Sequence, residues 1–187
     1  MMKGFVPIAL SIAAGLALGA CQMDGSGAKT AAPPKKPPAP DYQQALPPSP
    51  PVTNLRSICY SDADLTTIRS RMLQMELNVA TLQCQTPSGA RAFEGAYSTF
   101  LGKFTAELSS NARSLQQLAG RKRFNVDVIV TEFSNRMAQR APVDKEFCSR
   151  NLRALEWALD PRVTSLSQAP PPYDLGPEMK IYPCTAP

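Results

Sequence analysis

The fold is decided by residues 61–84, which read SDADLTTIRSRMLQMELNVATLQC. Large apolar side chains recur in this stretch every three or four residues, as in an α-helix that buries one face. They are Leu65, Ile68, Met72, Met75, Val79 and Leu82, with a second row at Leu73, Leu77, Ala80 and Cys84. Ser61 or Asp62 is suited to cap the start of this helix. Two adjacent apolar rows predict a helix that packs against two neighbours.

Helical periodicity continues beyond residue 84. A second helix is expected to begin at Ser88 or Gly89, and its apolar row contains Phe93, Tyr97, Phe100, Phe104, Leu108, Ala112, Leu115 and Leu118. A third helix is expected after a cap at Asn125, although its β-branched residues also suit a strand. Glu132 and Arg136, four residues apart, favour the helix because opposite charges at this spacing meet on a helix surface.

A fourth helix is expected from about Asp144, with an apolar row at Cys148, Leu152, Leu155 and Leu159. Four amphipathic helices with short connections are typical of an up-down-up-down bundle. The sequence therefore predicts an all-α fold, a small antiparallel four-helix bundle with disulfides. We expect the helical domain to cover residues 54–160 and an extended C-terminal tail to cover residues 161–187.

The N-terminus contains the motif Leu18-Gly19-Ala20-Cys21 after Lys3 and a short apolar run. The run is shorter than the roughly 20 apolar residues of a spanning helix. This motif resembles the lipobox of bacterial lipoproteins. The resemblance implies that residues 1–20 are a lipoprotein signal peptide and that Cys21 carries acyl chains, such as palmitate, that anchor the chain to a membrane. The alternative is an ordinary signal peptide cut after Ala20, with Cys21 unmodified.

Residue 22 bears on which membrane holds the anchor. Lipoproteins kept at the inner membrane commonly have Asp at this position, and this chain has Gln22. The resemblance therefore implies a location in the cell envelope, at the outer membrane facing the periplasm.

Residues 21–53 contain nine prolines and few large apolar side chains. Such a composition cannot bury enough surface to fold alone, which predicts a disordered proline-rich linker after the lipidated cysteine. In the polyproline II form at about 3.1 Å per residue, the linker would reach on the order of 90 Å. A proline-rich ligand for a groove is the alternative interpretation.

Four further cysteines, Cys59, Cys84, Cys148 and Cys184, predict two disulfides because an even number in an exported chain is typical of disulfides. A zinc site is disfavoured since its ligands normally come in close pairs. In an antiparallel bundle the end of the first helix and the start of the fourth share one pole. We therefore expect the pairs Cys84–Cys148 and Cys59–Cys184, with Cys84 and Cys148 on buried stripes.

The helical part, through residues 76–84 and Phe147-Cys148, resembles a group of small uncharacterised exported proteins of Gram-negative bacteria. Residues 97–104 and Phe133-Ser134-Asn135 fit the same pattern. The resemblance supports Cys84 and Cys148 as partners and implies no activity.

Composition argues against several classes of function. The chain has no histidine, which removes the commonest general base and metal ligand. Patterns for a nucleophile elbow or a phosphate loop are also missing. The net charge of +5 is modest, and export would separate the chain from nucleic acid. We expect no catalytic residues, no cofactor, no metal and no nucleic-acid partner.

The order of anchor, linker and bundle predicts a membrane-anchored periplasmic lipoprotein, a non-enzymatic binding or structural module with an unidentified envelope protein or polymer as partner. Trp157 and the basic turn Arg121-Lys122-Arg123 are candidate partner contacts. The alternative for Trp157 is cover by the tail, and for the turn a solvated loop. Alternative functions are a carrier of a small apolar ligand among the second helix's aromatic side chains, or an enzyme.

Overall fold

The computed structural model of the protein describes residues 40–43 and 58–184. This part of the chain is mostly helical, as predicted, with α1 at Asp62–Gln83, α2 at Glu94–Lys122, α3 at Val126–Arg140 and α4 at Phe147–Leu159. It also contains two short strands, β1 at Ile58–Tyr60 and β2 at Ile181–Pro183, and a 3₁₀ helix at Leu166–Gln168. The expectation of an all-α fold missed both strands. The predicted signal peptide, Cys21 and most of the predicted linker lie outside the described residues.

Helix α1 contacts each of the other three helices. It begins as predicted, with the Ser61 hydroxyl accepting from the Asp64 N–H and the Asp64 carboxylate accepting from the Ser61 N–H. Both predicted apolar rows supply side chains to the core, among them Ile68, Met72, Leu73, Leu77 and Ala80. Leu82 is 47% exposed, so the first row leaves the core before the helix ends.

Helix α2 begins at Glu94, later than the predicted start at Ser88 or Gly89. A turn occupies the residues before it, because Gly89 has a φ of 83° and its N–H donates to the Thr86 carbonyl oxygen at 2.9 Å. Glycine adopts a positive φ without the penalty that a Cβ brings, so this residue serves a turn and not a helix start. Most of the apolar row packs into the core as predicted, through Phe93, Phe100, Phe104, Leu108, Leu115 and Leu118, but Ala112 is exposed.

The interpretation of the third segment as a helix is confirmed. The Asn125 side chain accepts from the N–H groups of Asp127 and Val128, which caps the start of α3. Glu132 and Arg136 form the expected pair, with a carboxylate oxygen 3.7 Å from the guanidinium Nε.

The predicted face of α4 is wrong in part, since Leu155 is buried as expected but Cys148 and Leu152 are not. Cys148 is exposed and Leu152 is 38% exposed, whereas the buried residues are Phe147, Arg150, Asn151, Ala154, Leu155 and Ala158. The prediction ranked side chains by hydrophobicity, but buried polar side chains are tolerated where they find partners. The helix also starts at Phe147, since the Asp144 carboxylate first closes a turn by accepting from the Glu146 N–H at 3.0 Å.

The predicted tail is part of the core. The domain boundary expected at residue 160 is wrong, because the core continues past α4. The buried residues after α4 are Val163, Leu166, Ala169, Tyr173, Leu175, Met179 and Ile181. At its end β2 pairs in parallel with β1, and Ile181 lies opposite Ile58. One polar contact supports this sheet from outside, because Lys122 Nζ donates to the Cys59 carbonyl oxygen at 2.8 Å.

The four cysteines lie in the two predicted pairs at disulfide distance. The Cα atoms of Cys59 and Cys184 are 4.5 Å apart, and those of Cys84 and Cys148 are 5.7 Å apart. Cys84 is buried as expected, but Cys148 is exposed, so the second pair bridges the core and the surface. The two cross-links join β1 to the residue that follows β2, and the end of α1 to the start of α4.

Residues 40–43 depart from the predicted linker. Tyr42 is buried in the same core as the helices, and its hydroxyl donates to the Pro170 carbonyl oxygen at 2.9 Å. An aromatic ring contributes a large apolar area, so one residue is enough to dock a short segment. The folded domain, which was expected to begin at residue 54, therefore also includes Tyr42.

Candidate functional site

A cluster of buried charged and polar side chains lies where α1, α3 and α4 meet the C-terminal segment. Its centre is Glu76 on α1, which is 0% exposed. Neither oxygen of its carboxyl group has a hydrogen-bond partner among the described residues. Burial raises the pKa of Glu76 well above its ordinary value, and the charges of Arg150 and Arg140 reduce this increase without cancelling it. The folded environment therefore favours the protonated form of Glu76.

Arg150 connects α4 to the C-terminal segment. Arg150 is 3% exposed, and its guanidinium donates to the Asp144 carboxylate at 2.7 Å and to the Tyr173 hydroxyl. The Tyr173 hydroxyl also donates to the Asp144 carboxylate, and the Arg150 guanidinium lies 4.7 Å from the Tyr173 ring centroid. Burial alone would raise the pKa of Asp144, but hydrogen bonds from Arg150 and from the Glu146 N–H outweigh it and lower that pKa.

Glu178 makes the second attachment of the C-terminal segment, to α3. Its carboxylate pairs with Arg136 at 3.3 Å and with Arg140. All three side chains are largely buried, so water screens these charges less than it would on the surface. The segment that the sequence predicted as a tail is thus held by charge pairs as well as by apolar contacts.

The burial of the cluster and the pairing of its arginines indicate which chemistry it can perform. A general acid must reach the proton acceptor on its substrate, and the Glu76 carboxyl has no exposed surface. The arginines instead bind carboxylates from the loop before α4 and from the C-terminal segment. Sequence reasoning missed this cluster because its members are far apart in the chain. The sequence does contain one indication of the cluster, because the charged residue Glu76 stands between the apolar residues Met75 and Leu77.

Two adjoining clefts lie between α1 and the 3₁₀ helix, and the first also extends to α2. The first has a volume of about 170 Å³ and is lined mainly by hydroxyl and amide side chains, including Ser70 and Asn111. The second, of about 180 Å³, shares Thr66, Ser70 and Leu166 with the first. Both are small beside the roughly 300–1,000 Å³ of typical ligand pockets.

The aromatic side chains considered for a carrier pack against each other. The ring centroids of Tyr97 and Phe100 are 5.9 Å apart, and those of Phe100 and Phe104 are 5.3 Å apart. Phe93, Phe100 and Phe104 are buried, as the core interpretation predicted. The two clefts described above do not include these residues.

The other predicted contact residues are mostly used within the chain. Trp157 is half-buried, and its indole N–H donates to the Gln168 carbonyl oxygen at 3.1 Å, which agrees with cover by the C-terminal segment. Arg121 pairs with Asp64 at 2.8 Å, and Lys122 donates a hydrogen bond to the Cys59 carbonyl oxygen on β1. Arg123 is exposed and ends α2 with a φ of 58°.

Comparison of this chain with protein-family models, with curated proteins and with solved structures finds no match. Over residues 40–43 and 58–184, no group of three or more His, Cys, Asp or Glu side chains is placed to hold a metal ion. None of the helices described above is long and apolar enough to cross a membrane. The case for a function therefore depends on the chain's own residues.

Proposed function

We propose that the protein is a lipid-anchored lipoprotein of the cell envelope that acts as a non-enzymatic binding or structural module. The motif ending at Cys21 supports the anchor, because several acyl chains on one cysteine give lasting membrane attachment. Gln22 supports an outer-membrane location facing the periplasm. The partner we propose is an envelope protein or polymer.

The observation that carries this proposal is the pair of cross-links at disulfide distance. Disulfides persist in exported proteins and are rare in the reducing cytoplasm. Cys59 and Cys184 are 125 residues apart in sequence, and Cys84 and Cys148 are 64 apart, so the two links span the described domain. A domain stabilised in this way suits docking at the end of a proline-rich linker.

An antiparallel four-helix bundle is part of the proposal. It is supported by contacts between α1 and α2, because the partner numbers fall along α2 as they rise along α1. Asp64 pairs with Arg121, the Thr67 carbonyl oxygen accepts from Asn111, and Arg71 donates to the Leu108 carbonyl oxygen. The Cys84–Cys148 link supports the same relation between α1 and α4.

A non-enzymatic role is favoured by the chemistry of the buried cluster. Glu76 is enclosed, and the arginines around it are engaged with carboxylates of the same chain. A carrier of a small apolar ligand is less favoured, since the aromatic side chains of α2 contact one another and the two clefts are small and partly polar.

The anchor is tested by metabolic labelling with a palmitate analogue in cells that express the wild-type chain or Cys21→Ser. We expect labelling and outer-membrane sedimentation of the wild type, and an unlabelled, soluble Cys21→Ser chain. Equal labelling of both chains, or none of either, would contradict the anchor.

The module is tested separately. Alkylation of the unreduced chain followed by peptide mapping is expected to find all four of the other cysteines protected and paired as in the structure. In-cell crosslinking is expected to recover one defined envelope protein or polymer with the wild type and much less of it with Cys21→Ser. Free thiols in the native chain, or crosslinks that do not depend on the anchor, would count against the proposal.

A further inference from the structure

Residues 40–43 carry one buried side chain on a segment that is otherwise partly or fully exposed. Tyr42 is 1% exposed, while Asp41 and Gln43 are exposed. Aromatic anchors of this kind, buried in a pocket and flanked by exposed residues, dominate the recognition of short segments. The contact therefore has the form of a peptide seated in a receptor site.

The receptor side of this contact is the proline run that follows the 3₁₀ helix. The Tyr42 hydroxyl donates to the Pro170 carbonyl oxygen at 2.9 Å, and Gln43 Nε2 donates to the Pro171 carbonyl oxygen at 3.4 Å. Prolines hold the chain extended with its carbonyl groups facing outward, so they present acceptors without a cost in ordering. A buried hydroxyl needs such a partner.

The surroundings of the Tyr42 hydroxyl favour its neutral form, which can donate a hydrogen bond. Burial raises the pKa of the Tyr42 hydroxyl above its ordinary value. The hydroxyl therefore stays protonated and donates. A phenylalanine ring would fill the same space but would leave the Pro170 carbonyl oxygen without this donor.

We propose that the Pro170–Tyr173 segment, together with the core beneath it, forms a receptor site for tyrosine-bearing, proline-rich segments, and that residues 40–43 of the same chain occupy it. The chain's own segment is tethered beside the site, which gives an effective concentration on the order of millimolar. It therefore excludes free segments of the same chemistry. The inference does not depend on the lipid anchor.

The test uses the full-length chain and a fluorescent peptide with the sequence of residues 37–46, PPAPDYQQAL. Fluorescence anisotropy is measured with the wild type and with Tyr42→Ala, whose site is vacant. We expect the peptide to bind Tyr42→Ala at least about tenfold more tightly than the wild type, because the tethered segment competes only in the wild type. A peptide with alanine in place of tyrosine is expected to show no saturable binding.

Two further variants keep the test decisive. Glu156→Gln changes an exposed residue on α4, outside the proposed site, and is expected to behave as the wild type. Tyr42→Phe keeps the ring and removes the hydrogen bond, so we expect an intermediate affinity for the peptide, and this variant provides the result where Tyr42→Ala does not fold. Circular dichroism and disulfide mapping establish that each chain is folded.

Three outcomes would overturn the proposal. The first is equal peptide affinity, or no binding, for the folded wild type and the folded tyrosine variants. The second is tight binding of the alanine-substituted peptide, which would show that the tyrosine does not direct recognition. The third is a wild-type dimer by light scattering that dissociates on addition of the peptide, because the occupant would then be a second copy of the chain.

Discussion

Replacing Glu76 with glutamine is expected to stabilise the protein at neutral pH. The carboxyl is fully buried on α1, and neither of its oxygens has a hydrogen-bond partner within the described part of the chain. The Asn151 side chain lies beside this group and opposes part of the increase in the pKa of Glu76, while its own Oδ1 lacks a partner there. Glutamine keeps the size of the side chain, removes the ionisation and brings an N–H that can donate to that oxygen.

The sign of the effect follows from the direction of the pKa shift. Burial raises the pKa of Glu76 in the folded chain, so the folded state holds a proton that the unfolded state releases above about pH 4.3. Stability contributed by this group is therefore present at low pH and declines as pH rises towards the folded pKa, by about 1.4 kcal/mol per pH unit. At pH 7 we expect Glu76→Gln to raise the free energy of unfolding by at least about 1 kcal/mol, and at pH 4 to change it little.

The measurement is urea-induced unfolding of both chains at pH 4 and pH 7 with the disulfides intact. Comparing two chains at each pH cancels the titration of Asp144 and other groups. Glu156→Gln, an exposed substitution on α4, is the matched control and is expected to change stability by less than about 0.5 kcal/mol at either pH. A loss of about 3–5 kcal/mol in Glu76→Gln at pH 7 would refute the reasoning, since it would mean an ionised Glu76 paired with arginine.

Three more predictions concern packing and attachment. Glu178→Ala removes the carboxylate that pairs with two largely buried guanidinium groups, so we expect the free energy of unfolding in urea to fall by about 3–5 kcal/mol. A decrease below about 1 kcal/mol would contradict a role of Glu178 in attaching the C-terminal segment. Leu77→Ala removes a buried side chain and should lower the free energy of unfolding in urea by about 2–5 kcal/mol. Leu82→Ala, on the exposed side of α1, should lower it by about 0.5 kcal/mol or less. Similar losses for the two variants would mean that the buried face of α1 is misassigned. Replacing Cys84 and Cys148 together with serine should lower the free energy of unfolding by about 2–5 kcal/mol, measured by calorimetry against the wild type, and an unchanged transition would show that this link is not formed.

The helices were predictable because their signals are local. The capping residues Ser61 and Asn125 act within one turn, and the apolar rows of α1 and α2 repeat at the helical period. The cysteine pairs were also predictable, since an even number of cysteines and the order of four helices restrict the pairings. The face of α4 was not predictable in this way, because Arg150 is buried only where Asp144 and Tyr173 receive its hydrogen bonds.

The buried cluster and the Tyr42 site depend on contacts between distant parts of the chain. Tyr42 and Pro170 are 128 residues apart in sequence, and Arg140 and Glu178 are 38 apart. No pattern within a single segment indicates such pairs. The composition of residues 21–53 predicted a linker, and it did not reveal that Tyr42, one tyrosine among the prolines, has a place in the core.

The sequence by itself determined the number and approximate positions of the helices, because hydrophobic period and caps are properties of neighbouring residues. It also indicated which cysteines pair, because the order of the helices restricts which of their ends can meet. Only the tertiary structure decided that the C-terminal segment and Tyr42 belong to the core and that Glu76 lies buried beside arginines. The physical reason is that burial of a charged or polar side chain depends on the partner that folding brings to it, and that partner comes from another part of the chain.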